Sequence, residues 1–137
     1  MAIVQGQTTS FKAELYQAVH NLLTDTLKIA LYTANASLDS ATTVYSSTNE
    51  VVSSGYTAGG NTLTGVTINT SGYTAYVNFN NTSWTSALTA RCALIYNASK
   101  GNKAIAVIDF GSDKTSTTTF TITMPANTST TALIRSA

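Results

Sequence analysis

Apolar residues near the start of the chain recur with a helical period. Phe11, Leu15, Val19, Leu22 and Leu23 fall at i, i+4, i+8, i+11 and i+12, while Lys12, Glu14, Gln17 and Asn21 take the other side. This spacing predicts one amphipathic helix over about residues 10–23, started by Ser10 or Thr9, with Glu14 early enough to favour the helix dipole. Residues 1–9 read as an extended N-terminal arm in which Ile3 and Val4 are apolar outside any amphipathic pattern.

From residue 27 onward the period changes to two. Lys28–Thr33 and Thr74–Phe79 alternate as half-buried strands do, and Thr62–Asn69 does the same with an interruption at Gly65. Ser71-Gly72 offers a tight hairpin link. Ala90–Tyr96 and Lys103–Phe110 form a second hairpin candidate across the loop NASKGN, and the latter run is apolar enough to be covered on both faces. Thr117–Met124 sets Phe120, Ile122 and Met124 against Thr119, Thr121 and Thr123 before Pro125 ends it; Thr131–Arg135 is a last strand. Residues 34–60 read as a loop and the expected variable surface, where only Thr43–Tyr45 and Glu50–Val52 are able to pair. Such a set of short strands predicts a mainly β fold. The expectation is a single antiparallel β-sandwich or jelly-roll-like domain, residues 10–137, carrying one N-terminal amphipathic helix.

Composition bears on function more than on fold. Nearly three in ten residues are Ser or Thr and only 9% are charged, against roughly 25% in ordinary domains. A neutral hydroxyl surface loses less on desolvation than a charged one, so it suits permanent contact as well as exposure to solvent. With a net charge of +1 and no Lys/Arg cluster, phosphate neutralisation is not expected, so no nucleic-acid partner is anticipated. Nothing resembles a basic-then-apolar leader or a membrane-spanning run, so no membrane association is expected and the Asn-x-Ser/Thr triplets read as accidental. The chain is long enough to bury about two-thirds of its unfolded surface without staples. Its one cysteine, Cys92, reads as a small buried hydrophobe.

Candidate chemistry is sparse. His20 is a possible ligand or base, but no second histidine and no acidic neighbour in helical register accompany it, so a boundary histidine is the preferred reading. Asp109 and Asp113 in DFGSD could divide acid and base roles; turn-capping carboxylates pairing with Lys103 or Lys114 is the simpler reading. Gly60–Thr67 has a phosphate-loop glycine spacing with Val66 where the lysine belongs. No catalytic, cofactor-binding or metal-ligating residue is therefore expected, and the chain reads as non-enzymatic. Tyr45, Tyr56, Tyr73 and Tyr76 are expected at the surface, as a sugar platform, as cross-strand partners or as protein contacts, the last two being preferred.

TDTLKIALYT (24–33) after the helix FKAEL, EVVSSGYTAGG (50–60), the Trp84 segment and ALIYNASKGNKAIAVIDFGSDKTS (93–116) resemble, in wording and order, a family of small tailed-bacteriophage virion proteins. The likeness runs over most of residues 11–135. It implies a capsid cement or decoration protein that stabilises the shell, is assembled into the virion in the host cytoplasm, and has the major capsid protein or other virion proteins as partners. A homo-oligomer is expected, with Ile3, Val4, Tyr45 and Tyr56 as subunit contacts. The alternatives are a tail component (adaptor, tube or fibre part) and a carbohydrate-binding module.

Overall fold

The structure, a computed structural model, describes residues 3–136; residues 1 and 2 of the arm and residue 137 lie outside the described residues. The chain folds as a mainly β protein of antiparallel sheets with one short N-terminal helix. The elements are β1 (Gly6–Gln7), α1 (Thr9–Tyr16), β2 (Leu27–Tyr32), β3 (Asn61–Thr62), β4 (Thr67–Ser71), β5 (Thr74–Asn78), β6 (Thr82–Trp84), β7 (Thr89–Asn97), β8 (Lys103–Thr115), β9 (Phe120–Ile122) and β10 (Ile134–Ser136). They pair as a five-stranded sheet in the order β1-β8-β7-β2-β3, a three-stranded sheet β10-β5-β4 and a ribbon β6-β9.

The large sheet is buried on both faces, which is why β2, β7 and the first half of β8 are almost continuously apolar. On one face Ile29, Leu31, Ala93, Ile95 and Ile105 pack against Val77, Trp84, Phe120, Ile122 and Ile134 from the two smaller sheets and Phe79 just after β5, closing the sandwich core. On the other, Ala30, Tyr32, Cys92, Leu94, Tyr96 and Val107 are covered by Ala36 and Leu38, with Ile3 and Tyr45 at the margin. Residues 34–60 are therefore a cover for the sheet and not simply a variable surface. The two short runs read as able to pair do so, through the single bridges Val44–Lys103 and Tyr32–Glu50.

The helix is shorter than its apolar spacing predicts. It ends at Tyr16, and Ala18 adopts a left-handed φ of 57°, which turns the chain out of register. Phe11 and Leu22 are buried, but Leu15 and Leu23 are exposed. Leu22 reaches the core from the turn that follows the helix. The cap is Thr8, one residue before the expected positions: its Oγ1 accepts from Phe11 N at 3.2 Å, while its own N–H donates to Ile105 O. The arm lies on its own sheet from Ile3, which bridges Leu38, to β1, whose Gly6 and Gln7 pair with Val107 and Ala106.

One other segment departs from the pattern, and one breaks where the pattern is interrupted. Ala90 pairs with Lys114 and Cys92 with Asp109, so Phe110–Asp113 stand opposite Arg91 alone. DFGSD is thus a broad bulge within β8, turned by Gly111 at φ 83°, and not a turn at a strand end. The run Thr62–Asn69 is split into β3 and β4 by Gly65 at φ 64°.

Candidate functional site

The polar side chains that could do chemistry are gathered into two buried networks. The first centres on Glu50. Val51 N donates to Leu31 O at 3.0 Å, continuing the bridge to β2 and drawing Glu50 under the cover. Its Oε1 accepts from the Tyr45 hydroxyl at 2.5 Å; its Oε2 accepts from the Tyr56 hydroxyl and from Gly59 N at 2.8 Å. The Tyr56 hydroxyl in turn accepts from Leu31 N at 2.9 Å. Tyr96 donates to Gly59 O at 2.6 Å and stacks on Tyr45 with ring centroids 4.6 Å apart, and Tyr32 donates to Ser46 O at 2.7 Å. None of the ion pairs among the described residues involves Glu50. Its carboxylate oxygens are satisfied by three neutral donors.

Burial, and next the carboxylate itself, hold the surrounding phenols protonated. Tyr32, Tyr45 and Tyr56 are pushed far above the ordinary range, first by desolvation and then by the charge of Glu50 or a hydrogen bond to it. Tyr96 is pushed up to about 12 by the same two causes. Each phenol keeps its proton and donates it. The network clamps residues 45–59 to β2 and β7 and engages both oxygens of Glu50. Two of the expected subunit contacts belong to it. Contrary to their expected exposure, Tyr56 is buried and Tyr45 half-buried, because both hydroxyls are drawn inward to a carboxylate that lies far from any helical or strand register with them. Of the other two expected contacts, Ile3 is half-buried and Val4 is 54% exposed.

The second network surrounds His20, whose side chain is fully buried. Nε2 lies 2.9 Å from Glu14 Oε1, and Nδ1 lies 2.9 Å from Asn97 Nδ2. Asn97 Oδ1 accepts from Ser99 N, which turns its amide nitrogen to His20 and to Asp25 Oδ2, 2.8 Å away. That nitrogen is a donor, so Nδ1 accepts and Nε2 carries the proton given to Glu14. The acidic neighbour missing from helical register is supplied by the turn at Ala18, which folds His20 back on the helix it follows. Lys100 and Lys103 stand 3.9 Å and 4.0 Å from Asp25 and Glu14. The hydrogen bond from Asn97, then that from Asn21 N–H, holds the Asp25 carboxyl below its ordinary range. A general base must reach the proton it removes, and both His20 nitrogens are occupied inside the protein.

The remaining candidates are also placed by packing. Asp109 pairs with Arg91, not with either lysine expected of it, and accepts from Gly111 N at 2.8 Å; that backbone bond first, and Arg91 second, lower its pKa. Cys92 is buried and its thiol is pushed up to about 11 by desolvation, which suppresses the reactive thiolate. Trp84 is 4% exposed and packs in the core beside Tyr56 and Phe120. Among the described residues no group of three or more His, Cys, Asp and Glu side chains is placed to hold a metal ion. Among these residues, too, no helix is long and apolar enough to cross a membrane.

The exposed charges, among them Lys12, Lys100, Asp113, Lys114 and Arg135, lie outside one long neutral segment. From Val51 to Ala90 there is no Asp, Glu, Lys, Arg or His, and this segment carries the exposed apolar side chains Val52, Ile68 and Tyr73. An open apolar groove runs between the turn after α1 and the β4-β5 hairpin, lined by Phe11, Leu15, Leu22, Ile68, Val77 and Ile134. No family model, curated protein or solved structure matches this chain.

Proposed function

We propose that this protein is a non-enzymatic virion structural component of a tailed bacteriophage, a cement or decoration protein that stabilises the capsid through protein–protein contacts. The observation that carries the reading is the pairing of an inward-turned set of titratable groups with a charge-free surface segment over residues 51–90. Hydroxyl and apolar groups on such a surface are desolvated against a neighbour without isolating a charge. The resemblance of residues 24–33, 50–60 and 93–116 to small phage virion proteins supports the same reading. Its partner is the major capsid protein, and its place is the assembled virion.

Counting copies per purified particle by quantitative mass spectrometry tests this. A copy number comparable to the shell protein is expected. A small fixed number per particle instead assigns the chain to the tail. Absence from particles, together with glycan binding by the isolated protein, overturns the structural role.

A further inference from the structure

The β4 strand is the longest strand at a sheet edge among the described residues. The edges β1 and β3 of the large sheet are two residues each. The outer side of β10 is met by Gln7, whose Nε2 donates to Arg135 O at 2.9 Å, and β6 is met by Asn61, which donates to Ser83 O at 2.8 Å. β9 is three residues long. By contrast Thr67–Ser71 is five residues, exposed throughout and paired only with β5. It has none of the usual guards against edge pairing: no lysine, no proline, no bulge and no inward charge.

The free backbone groups of this edge match themselves. Ser71 pairs with Thr74 across the two-residue turn Gly72-Tyr73, so Ser71–Thr74, Asn69–Tyr76 and Thr67–Asn78 are the hydrogen-bonded pairs of the hairpin. The N–H and C=O of Ile68 and Thr70 therefore point away from β5. If two copies approach antiparallel about a two-fold axis through Asn69, Ile68 of each faces Thr70 of the other. Those two residues then exchange both backbone bonds, giving four across the seam. The side chains agree with this register. Ile68 meets Thr70, both β-branched; Thr67 meets Ser71; and Asn69 meets Asn69 in the closer, non-bonded position, where two amides can pair. No like charges meet, because the whole segment from residue 51 to 90 is uncharged. The 100% exposed Tyr73 at the hairpin tip is carried to the far end of the partner strand, beside its Gly65 and Val66.

We propose that two copies of this chain form a symmetric dimer through β4, joining their three-stranded sheets into one sheet of six. The arrangement is isologous and closes at two copies. It requires no capsid, so it stands or falls separately from the virion reading.

Sedimentation equilibrium of the full chain at concentrations up to about 100 µM, where a modest interface is populated, provides the test. The expected mass is twice that of the 14.3 kDa chain. Thr70→Pro removes an outward N–H without touching the bonds to β5, and Ile68→Lys places two charges beside the seam; each is expected to give the monomer mass. If the proline variant does not fold, the lysine variant decides. Register is read by oxidising Asn69→Cys, whose Cα atoms would lie about 4.5 Å apart across the axis, within disulfide range. Cross-linked dimer is expected from Asn69→Cys but not from Thr67→Cys or Ser71→Cys, and Cys92 does not compete because it is buried. A wild-type monomer throughout this range, a trimer, folded variants that stay dimeric, or no cross-link at Asn69 each overturns the proposal.

Discussion

Replacing Tyr56 with phenylalanine removes one oxygen from the core and keeps the ring. That oxygen holds two bonds: it accepts from Leu31 N–H at 2.9 Å and donates to Glu50 Oε2. Without it Leu31 N–H is left unpaired in the sandwich interior, a penalty of roughly 1–3 kcal/mol. Glu50, which has no ion-pair partner among the described residues, loses one of three donors, and a hydrogen bond to a charged group contributes roughly 1.5–3 kcal/mol. Tyr56→Phe should therefore lower stability by about 4 kcal/mol, a large part of the 5–15 kcal/mol of an ordinary domain. Urea unfolding at neutral pH, followed through the fluorescence of Trp84, reports it directly, since the Trp84 ring centroid lies 5.9 Å from that of Tyr56. The control is Tyr73→Phe at a fully exposed site, expected within about 0.5 kcal/mol of wild type. A loss below 1 kcal/mol for Tyr56→Phe, or one equal to the control, would refute the view that the Glu50 network fastens the cover to the sheet.

Gly60→Ala should be far more harmful than Gly72→Ala: at Gly60, φ 80°, a Cβ would lie 1.8 Å from Ile29 O, whereas at Gly72, φ 58°, it meets nothing within 4 Å. Thermal unfolding should show a loss of about 1 kcal/mol for Gly72→Ala and failure to reach the native fold for Gly60→Ala. In an alkaline titration read by phenolate absorbance, Tyr32, Tyr45, Tyr56 and Tyr96 should stay silent at pH 10 and just above, while the protein is folded. Their folded pKa values are raised, so their contribution to stability is complete below the unfolded value of 10 and is lost as pH rises through the folded ones. For Asp25 the shift is downward, so its contribution is complete above the unfolded value of 3.8 and is lost as pH falls toward the lowered folded one; Asp25→Asn should flatten the acid limb of the stability curve.

Strands that alternate across one buried face were legible in the chain. Phe120, Ile122 and Met124 are buried and Thr119, Thr121 and Thr123 exposed, as their spacing predicts, and the hairpin turn falls at Gly72. The continuous apolar run at Ala104–Val107 likewise marked a strand covered on both sides. What escaped depends on contacts that leave no local period. The helical stripe counted Val19, Leu22 and Leu23 as one face with Phe11, but the left-handed Ala18 separates them, and nothing in apolar spacing signals that turn. The two-residue strands β1 and β3 are held by backbone pairing at a sheet edge, so their side chains need not alternate. Nothing local in the sequence marks Glu50 beyond its place in a short run able to pair. Its role rests on Tyr45, Tyr56 and Gly59, which stand five, six and nine residues away in non-repeating loop. The one available hint was a lone acidic residue just before a long charge-free segment. Sequence spacing also could not bring Glu14 to His20, because the five residues between them cross the end of a helix.

On the proposed virion role, the charge-free surface of residues 51–90 faces a permanent neighbour. Electron cryomicroscopy of the virion tests it most directly. Density for this sandwich is expected on the capsid lattice, repeated with the shell protein, with surface from residues 51–90 against a neighbouring virion protein. Heads that lack this density, or density in which that surface faces solvent throughout, would contradict it.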